Sequence, residues 1–148
     1  MKNILDQTVR DEMLSRIDKL TPESKALWGK MNVNQGLRHM TYAFQIATGE
    51  MKIAPKKILL PKFIMKYFLI NFKPPKGRAE TFFEVNMVEN KIYPTDFYAE
   101  QKALKEAIKN FGEKPMLPKN PMGVPLSKDD WGKLNYNHTD HHLRQFGT

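Results

Sequence analysis

Apolar residues recur at intervals of three and four along nearly the whole chain, and this helical periodicity constrains the fold more than any other feature. Val9, Met13, Ile17 and Leu20 mark the inward stripe of a first helix, from Asp6 to Leu20. Thr21, Pro22 and Glu23 then supply a cap residue, a proline suited to the first helical position and an early acid, so a helical turn is expected to restart there. A second helix begins at Asn32 or Asn34, either of which can cap it, and stops at Gly49. Ile58 to Phe72 reads as a short helix of the bundle with Lys62 and Lys66 solvated, followed by the loop KPPKG. Thr95 is the expected cap of a further helix ending at Gly112, with Phe97, Ala103 or Leu104, Ala107, Ile108 and Phe111 facing inward.

The loop from Glu113 to Leu126 carries four of the ten prolines and is expected to cover one end of the domain. Ser127 opens the last helix, and Asp130 three residues later resembles a capping box. Strand alternation is confined to ETFFEVNMV, Glu80 to Val88, which is short enough to be an extended crossover. No repeat, low-complexity tract or break in composition divides the chain, so residues 1–148 are read as one domain. A domain of this size buries roughly two-thirds of its unfolded surface. Helices with short loops and one longer crossover predict an all-α helical bundle.

Composition removes several classes of function. With no cysteine there is no disulfide, no thiolate metal site and no cysteine nucleophile. The N-terminus, MKNILDQTVRDEML, turns polar within a few residues and lacks an apolar signal core, so a cytoplasmic protein is expected. The formal net charge is +8, with basic residues densest from Lys52 to Arg78. That stretch could track a phosphate backbone or lie on an anionic membrane. No nucleic-acid-binding signature accompanies it, and its apolar run, interrupted by Pro61 and two lysines, is shorter than the roughly 20 residues a bilayer span requires. Neither nucleic acid nor a membrane is therefore the expected partner.

Three of the four histidines, His138, His141 and His142, lie in the last helix. At about 100° per residue, with Trp131 as reference, Leu134, His138, His142, Gln145 and Phe146 fall on one face, and Asp140 and Arg144 fall opposite. His141 lies toward the edge of that face. Residues four apart stack one turn above each other, so His138 and His142 can turn a ring nitrogen toward one ion, as the paired histidines of helical zinc sites do. The fourth histidine, His39, is flanked on its own helix by Gly36, Ala43, Ile46 and Ala47, whose small members leave open volume over the ring. Three imidazoles with no fourth protein ligand suit a divalent transition metal that keeps one or more waters. Two plainer readings fit the spacing as well: core histidines bonded to neighbours, or a chance cluster near a fraying C-terminus. Trp28, Trp131 and the nine methionines read as core filler, and Tyr42, Tyr136 and Gln145 as surface or pocket-rim residues.

The ending LSKDDWGKLNYNHTDHHLRQFG, together with LTPESKALWGKMNVNQGLRHMTYAFQIATGE near the start, resembles the DUF1569 family of the DinB/YfiT-like superfamily. The resemblance runs from Leu20 to Gly147 and is specific at the two ends and loose between them. It implies a four-helix bundle of up-down-down-up order with extra short helices, often dimeric. It also implies a divalent metal, zinc or nickel, held by His39, His138 and His142. His141, Gln145 and Tyr42 are candidates for supporting or pocket positions. The chemistry implied is metal-dependent hydrolysis or thiol-S-transfer, in which water or a low-molecular-weight thiol is activated against a small electrophile. One departure stands out: where similar sequences place His-Pro before the last helix, this chain reads NPMG from Asn120 to Gly123, and Asn120 cannot accept a proton as histidine can. No Asp or Glu beside the three histidines presents itself as a general base, and the catalytic residues stay unassigned. A reading from another class makes the chain a non-catalytic binding protein that uses its basic 52–78 surface for an acidic partner.

Overall fold

Caps and apolar stripes fix five α-helices among residues 2–73, 75–76 and 82–148, the part of the chain that this computed structural model describes, and no strand forms among them. Helix α1, Gln7–Asp18, buries Val9, Met13 and Ile17, and Leu20 continues its stripe into the core. Helix α2, Val33–Thr48, starts at a reciprocal capping box between Asn32 and Gln35 and ends where Gly49 turns left-handed, with φ 79°. Helix α3, Lys62–Asn71, starts only after Pro61. Helix α4, Phe97–Asn110, is capped by Asp96, whose carboxylate accepts from the Ala99 amide, so the cap lies one residue beyond Thr95. Helix α5, Lys128–Gln145, carries the Ser127 and Asp130 capping box.

Four helices touch in a closed ring: α1 packs on α4, α4 on α2, α2 on α5, and α5 on α1, while α3 lies outside the ring against α5. The core is continuous through the ring, from Met13 and Ile17 to Leu37, Met40, Leu104, Ile108, Phe111 and Leu143. Leu104, not Ala103, takes the inward position on α4. Glu100 is buried beside it and is held by the Arg38 guanidinium.

Several segments depart from the periodic reading. Thr21 to Ser24 makes a single turn and no helix, because only a short stretch remains before the chain must cross to α5, where Leu27 donates to the Gln145 carbonyl at 2.7 Å. Ile58 to Pro61 is not helical, and α3 buries a single residue, Ile70. Lys66 is not simply solvated, since it pairs with Asp130 at 2.6 Å. In the Glu80 to Val88 stretch, Glu80 and Thr81 lie outside the described residues, as do Pro74 and Gly77 of KPPKG and Arg78 of the basic stretch. The remainder forms a 3-10 turn, Phe83–Val85, that buries Val85 and Met87. In the proline-rich loop, Leu117 bonds to α2 through the Ala47 carbonyl and accepts from the Trp131 indole at 2.7 Å.

The largest departure concerns α5, which is buried on more than one face. Asp140, expected opposite the apolar stripe, is only 1% exposed. It is ringed by cations: Arg16 at 2.8 Å, Lys73 at 2.5 Å and Arg144 at 3.0 Å. A wheel places residues by angle alone, whereas α1, α2 and α3 all close on this helix and leave it little open side. Tyr136 is likewise buried and not at a surface or rim. Among the described residues, no helix is long and apolar enough to cross a membrane.

Candidate metal centre

The contact between α2 and α5 brings His39 against His138 and His142. Ring centroids lie 4.6 Å apart for His138 and His142, one turn from each other on α5, 4.8 Å for His39 and His142, and 5.0 Å for His39 and His138. Each ring offers one nitrogen within 4.8 Å of the other two. His39 and His142 are buried and His138 is half-buried.

Hydrogen bonds on the far side of two rings decide which nitrogens face the centre. His39 Nδ1 lies 3.0 Å from the Val85 carbonyl, which can only accept, so Nδ1 carries the proton and Nε2 presents a lone pair. His142 Nδ1 lies 2.8 Å from Gln145 Oε1. The orientation of that amide follows from its other end, since Gln145 Nε2 donates to the Trp28 carbonyl at 2.6 Å. His142 therefore also turns an unprotonated Nε2 inward. His138 Nε2 lies 3.1 Å from His39 Nε2, and its Nδ1 is buried with no hydrogen-bond partner among the described residues.

Burial is the first cause of the depressed basicity of all three rings. His39 is lowered by burial, partly offset by the Val85 carbonyl, with His141 nearby lowering it further. His138 is pushed well below the ordinary histidine range by burial and then by His142, His39 and His141. His142 falls to about 3, with burial and His39 outweighing the opposing bond from Gln145. At neutral pH the three imidazoles are thus uncharged, the state in which a histidine ligates a metal.

The residues fit a divalent ion by two tests. Two nitrogens bonded to one ion at about 2.0–2.1 Å cannot lie more than about 4.2 Å apart; the 3.1 Å between His39 and His138 meets this limit, and the three ligand nitrogens together lie within 4.8 Å of one another. The second test is the donor set. Neutral imidazoles suit zinc, nickel or copper, and two of the three have their outer nitrogen tied to a protein acceptor, as ligating histidines generally do. Three converging buried rings are costly unless they share a partner.

The rings open on a cavity of about 1060 Å³ whose other walls are largely apolar, with Met65, Phe68, Leu69, Phe72, Met87 and Met122 prominent. Lys30, Lys56 and Lys73 also line it, and Glu89 is the only carboxylate among its described lining residues.

His141 lines the cavity without joining the three-ring group, edge-on to Trp28 at 5.8 Å and to His142 at 5.0 Å. Gln145 is buried and orients His142. Tyr42 does not line the cavity; its hydroxyl bonds to Arg38, which engages Glu100. Asn120 lines the cavity, and its Oδ1 accepts from the Met122 and Val124 amides at 3.0 Å, so the carboxamide shapes the loop. Trp28 is not core filler but a half-buried cavity wall. The open volume expected beside Gly36 is taken by the Phe146 ring, whose nearest atom would lie 2.3 Å from an added Cβ. Val85 and Trp28 act through backbone carbonyls, which carry no residue-type signal, and Glu89 comes from the crossover, far from any histidine in sequence. No family model, curated protein or solved structure matches this chain.

Proposed function

We propose that this chain is a metal-dependent enzyme with a DinB/YfiT-like four-helix bundle related to the DUF1569 family. In this reading His39, His138 and His142 hold one divalent transition metal, zinc or nickel, and the substrate is a small electrophilic molecule. The closed ring of α1, α4, α2 and α5 supports the bundle. The observation that carries the reading is the convergence of three uncharged imidazoles, two with fixed tautomers, on the wall of a cavity of small-molecule size.

When bound, the ion supplies Lewis acidity, which lowers the pKa of a coordinated water or thiol toward neutrality. The chain does the rest. Val85 and Gln145 hold His39 and His142 in register, and the largely apolar walls strengthen electrostatic effects at the buried rings. Lys73 is paired with Asp140, so of the lining lysines Lys30 is the one that favours a substrate with an anionic group, and Glu89 is the lining carboxylate available to take a proton. Hydrolysis and thiol-S-transfer both follow this scheme and differ in which nucleophile enters.

The test is zinc and nickel affinity by chelator competition for the parent and for His39→Ala, His142→Ala and His141→Ala. The first two variants are expected to bind at least tenfold more weakly with unchanged helical circular dichroism, and the third close to the parent. Parent-like affinity in both ligand variants would refute the three-histidine assignment. A larger loss in His141→Ala would move a ligand to that position.

A further inference from the structure

Helix α3 and the segment leading into it expose more apolar surface than a bundle helix should. Leu59 is 105% exposed and Phe63 74%, while Leu60, Tyr67, Phe68 and Phe72 are each at least half exposed. Phe63 and Tyr67 are one helical turn apart, and Tyr67, Phe68 and Phe72 lean on one another at centroid distances of 5.3 to 6.0 Å. Tyr67, Phe68 and Phe72 thus form an exposed aromatic cluster, next in sequence to the exposed Leu59, Leu60 and Phe63, and clustered exposed apolar side chains mark an interaction surface. Along the sequence from Met51 to Ala79 the chain holds seven lysines and one arginine and no acid, although Glu84 folds back to accept from the Ala54 amide at 2.7 Å. Lys66 and Lys73 are committed to Asp130 and Asp140, whereas Lys52, Lys57 and Lys62 are exposed near the patch in sequence.

We propose that the segment from Lys52 to Lys73 docks on an anionic membrane surface, with Leu59, Leu60, Phe63 and Tyr67 entering the interface and the exposed lysines meeting lipid headgroups. Charge complementarity selects this occupant. A second copy of the chain is disfavoured, because a two-fold contact through this face would bring the exposed Lys52, Lys57 and Lys62 of one copy toward those of the other. A nucleic acid would use the lysines and aromatic rings, but it has nothing to gain from two adjacent exposed leucines, which partition readily toward acyl chains. Apolar and aromatic tips with lysines that reach outward are the composition of an interfacial anchor. Helix α3 has ten residues, so it lies on the bilayer and does not cross it. This inference does not depend on the metal, and His39→Ala is expected to dock like the parent.

The experiment is co-sedimentation of the full chain with vesicles of phosphatidylcholine alone or with phosphatidylserine added, at low and high salt. The parent is expected on the anionic vesicles only, with retention falling as salt rises. Leu59→Asp/Phe63→Asp and Lys57→Glu/Lys62→Glu are each expected to lower partitioning at least tenfold. These side chains are exposed, so unchanged melting curves will show that the fold survives. Phe63→Trp reports insertion separately through a blue shift of its emission on anionic vesicles. The proposal is overturned by no retention at low salt, by parent-like retention of the Leu59→Asp/Phe63→Asp variant, or by retention without an emission shift. It is equally overturned if the parent is a dimer that this variant converts to monomer while vesicles bind neither.

Discussion

The amide of Gln145 ties His142 on α5 to the loop before α2: its oxygen accepts from His142 and its nitrogen donates to the Trp28 carbonyl. Replacing it with leucine keeps the bulk but removes both bonds, so Gln145→Leu should bind zinc ten to a hundredfold more weakly with its helix content intact. Chelator competition measures this, and an unchanged affinity would mean that His142 is oriented by something else. Gly29 makes the link sterically feasible. Its φ is 81°, a conformation that L side chains rarely adopt, and an added Cβ would sit 2.5 Å from Gln145 Nε2. Gly29→Ala should therefore lower both the melting temperature and the metal affinity, where a simple loop residue would lower neither. The histidines could be read from the sequence because i, i+4 spacing is itself a geometric statement. The carbonyls of Val85 and Trp28 could not, because every residue has one.

Among the elements, α5 shows what a helical wheel omits. The wheel puts His138 and His142 on one face with Trp131 and Leu134, which is the face that meets α2, but it says nothing of what covers the opposite side. Burial by itself would raise the Asp140 carboxyl, yet its bonds to Lys73, Arg16 and Arg144 prevail and hold it below the usual carboxylate range. Asp140→Asn should cost about 1–3 kcal/mol in urea denaturation at neutral pH, because three cations lose their shared partner. The folded pKa is depressed, so this contribution is present above the unfolded value of about 4 and is lost as pH falls through the folded value. The cost should thus shrink in acid, and a cost independent of pH would contradict the ion-pair account. Cap residues placed the starts of α2 and α5 and Gly49 the end of α2, since those signals are local, whereas α1 was read from its apolar spacing. Helix α3 was misread because periodicity reports that a helix has an apolar face and not whether anything covers it.

For the molecule as a whole, the three histidines create a dependence on pH that a plain bundle lacks. His142 titrates near 3 when folded and near 6.5 when unfolded, and His39 and His138 are shifted in the same direction. Between those values the unfolded chain binds more protons, so metal-free protein should lose stability as pH falls below about 6.5, at about 1.4 kcal/mol per unit for each fully shifted histidine. A variant with all three changed to glutamine should show a flatter profile, and parallel urea midpoints between pH 7 and 4 would refute the shifts. The all-α class could be read from periodicity, but the cavity could not, because it forms where α3, the crossover and the proline-rich loop meet α2 and α5. The most direct test of the central claim is the metal content of untagged protein by elemental mass spectrometry, beside His39→Ala prepared identically. Near-stoichiometric zinc or nickel in the parent and its loss in the variant is the predicted result. No metal in either protein, even after incubation with both ions, would contradict it and leave the three histidines as core residues.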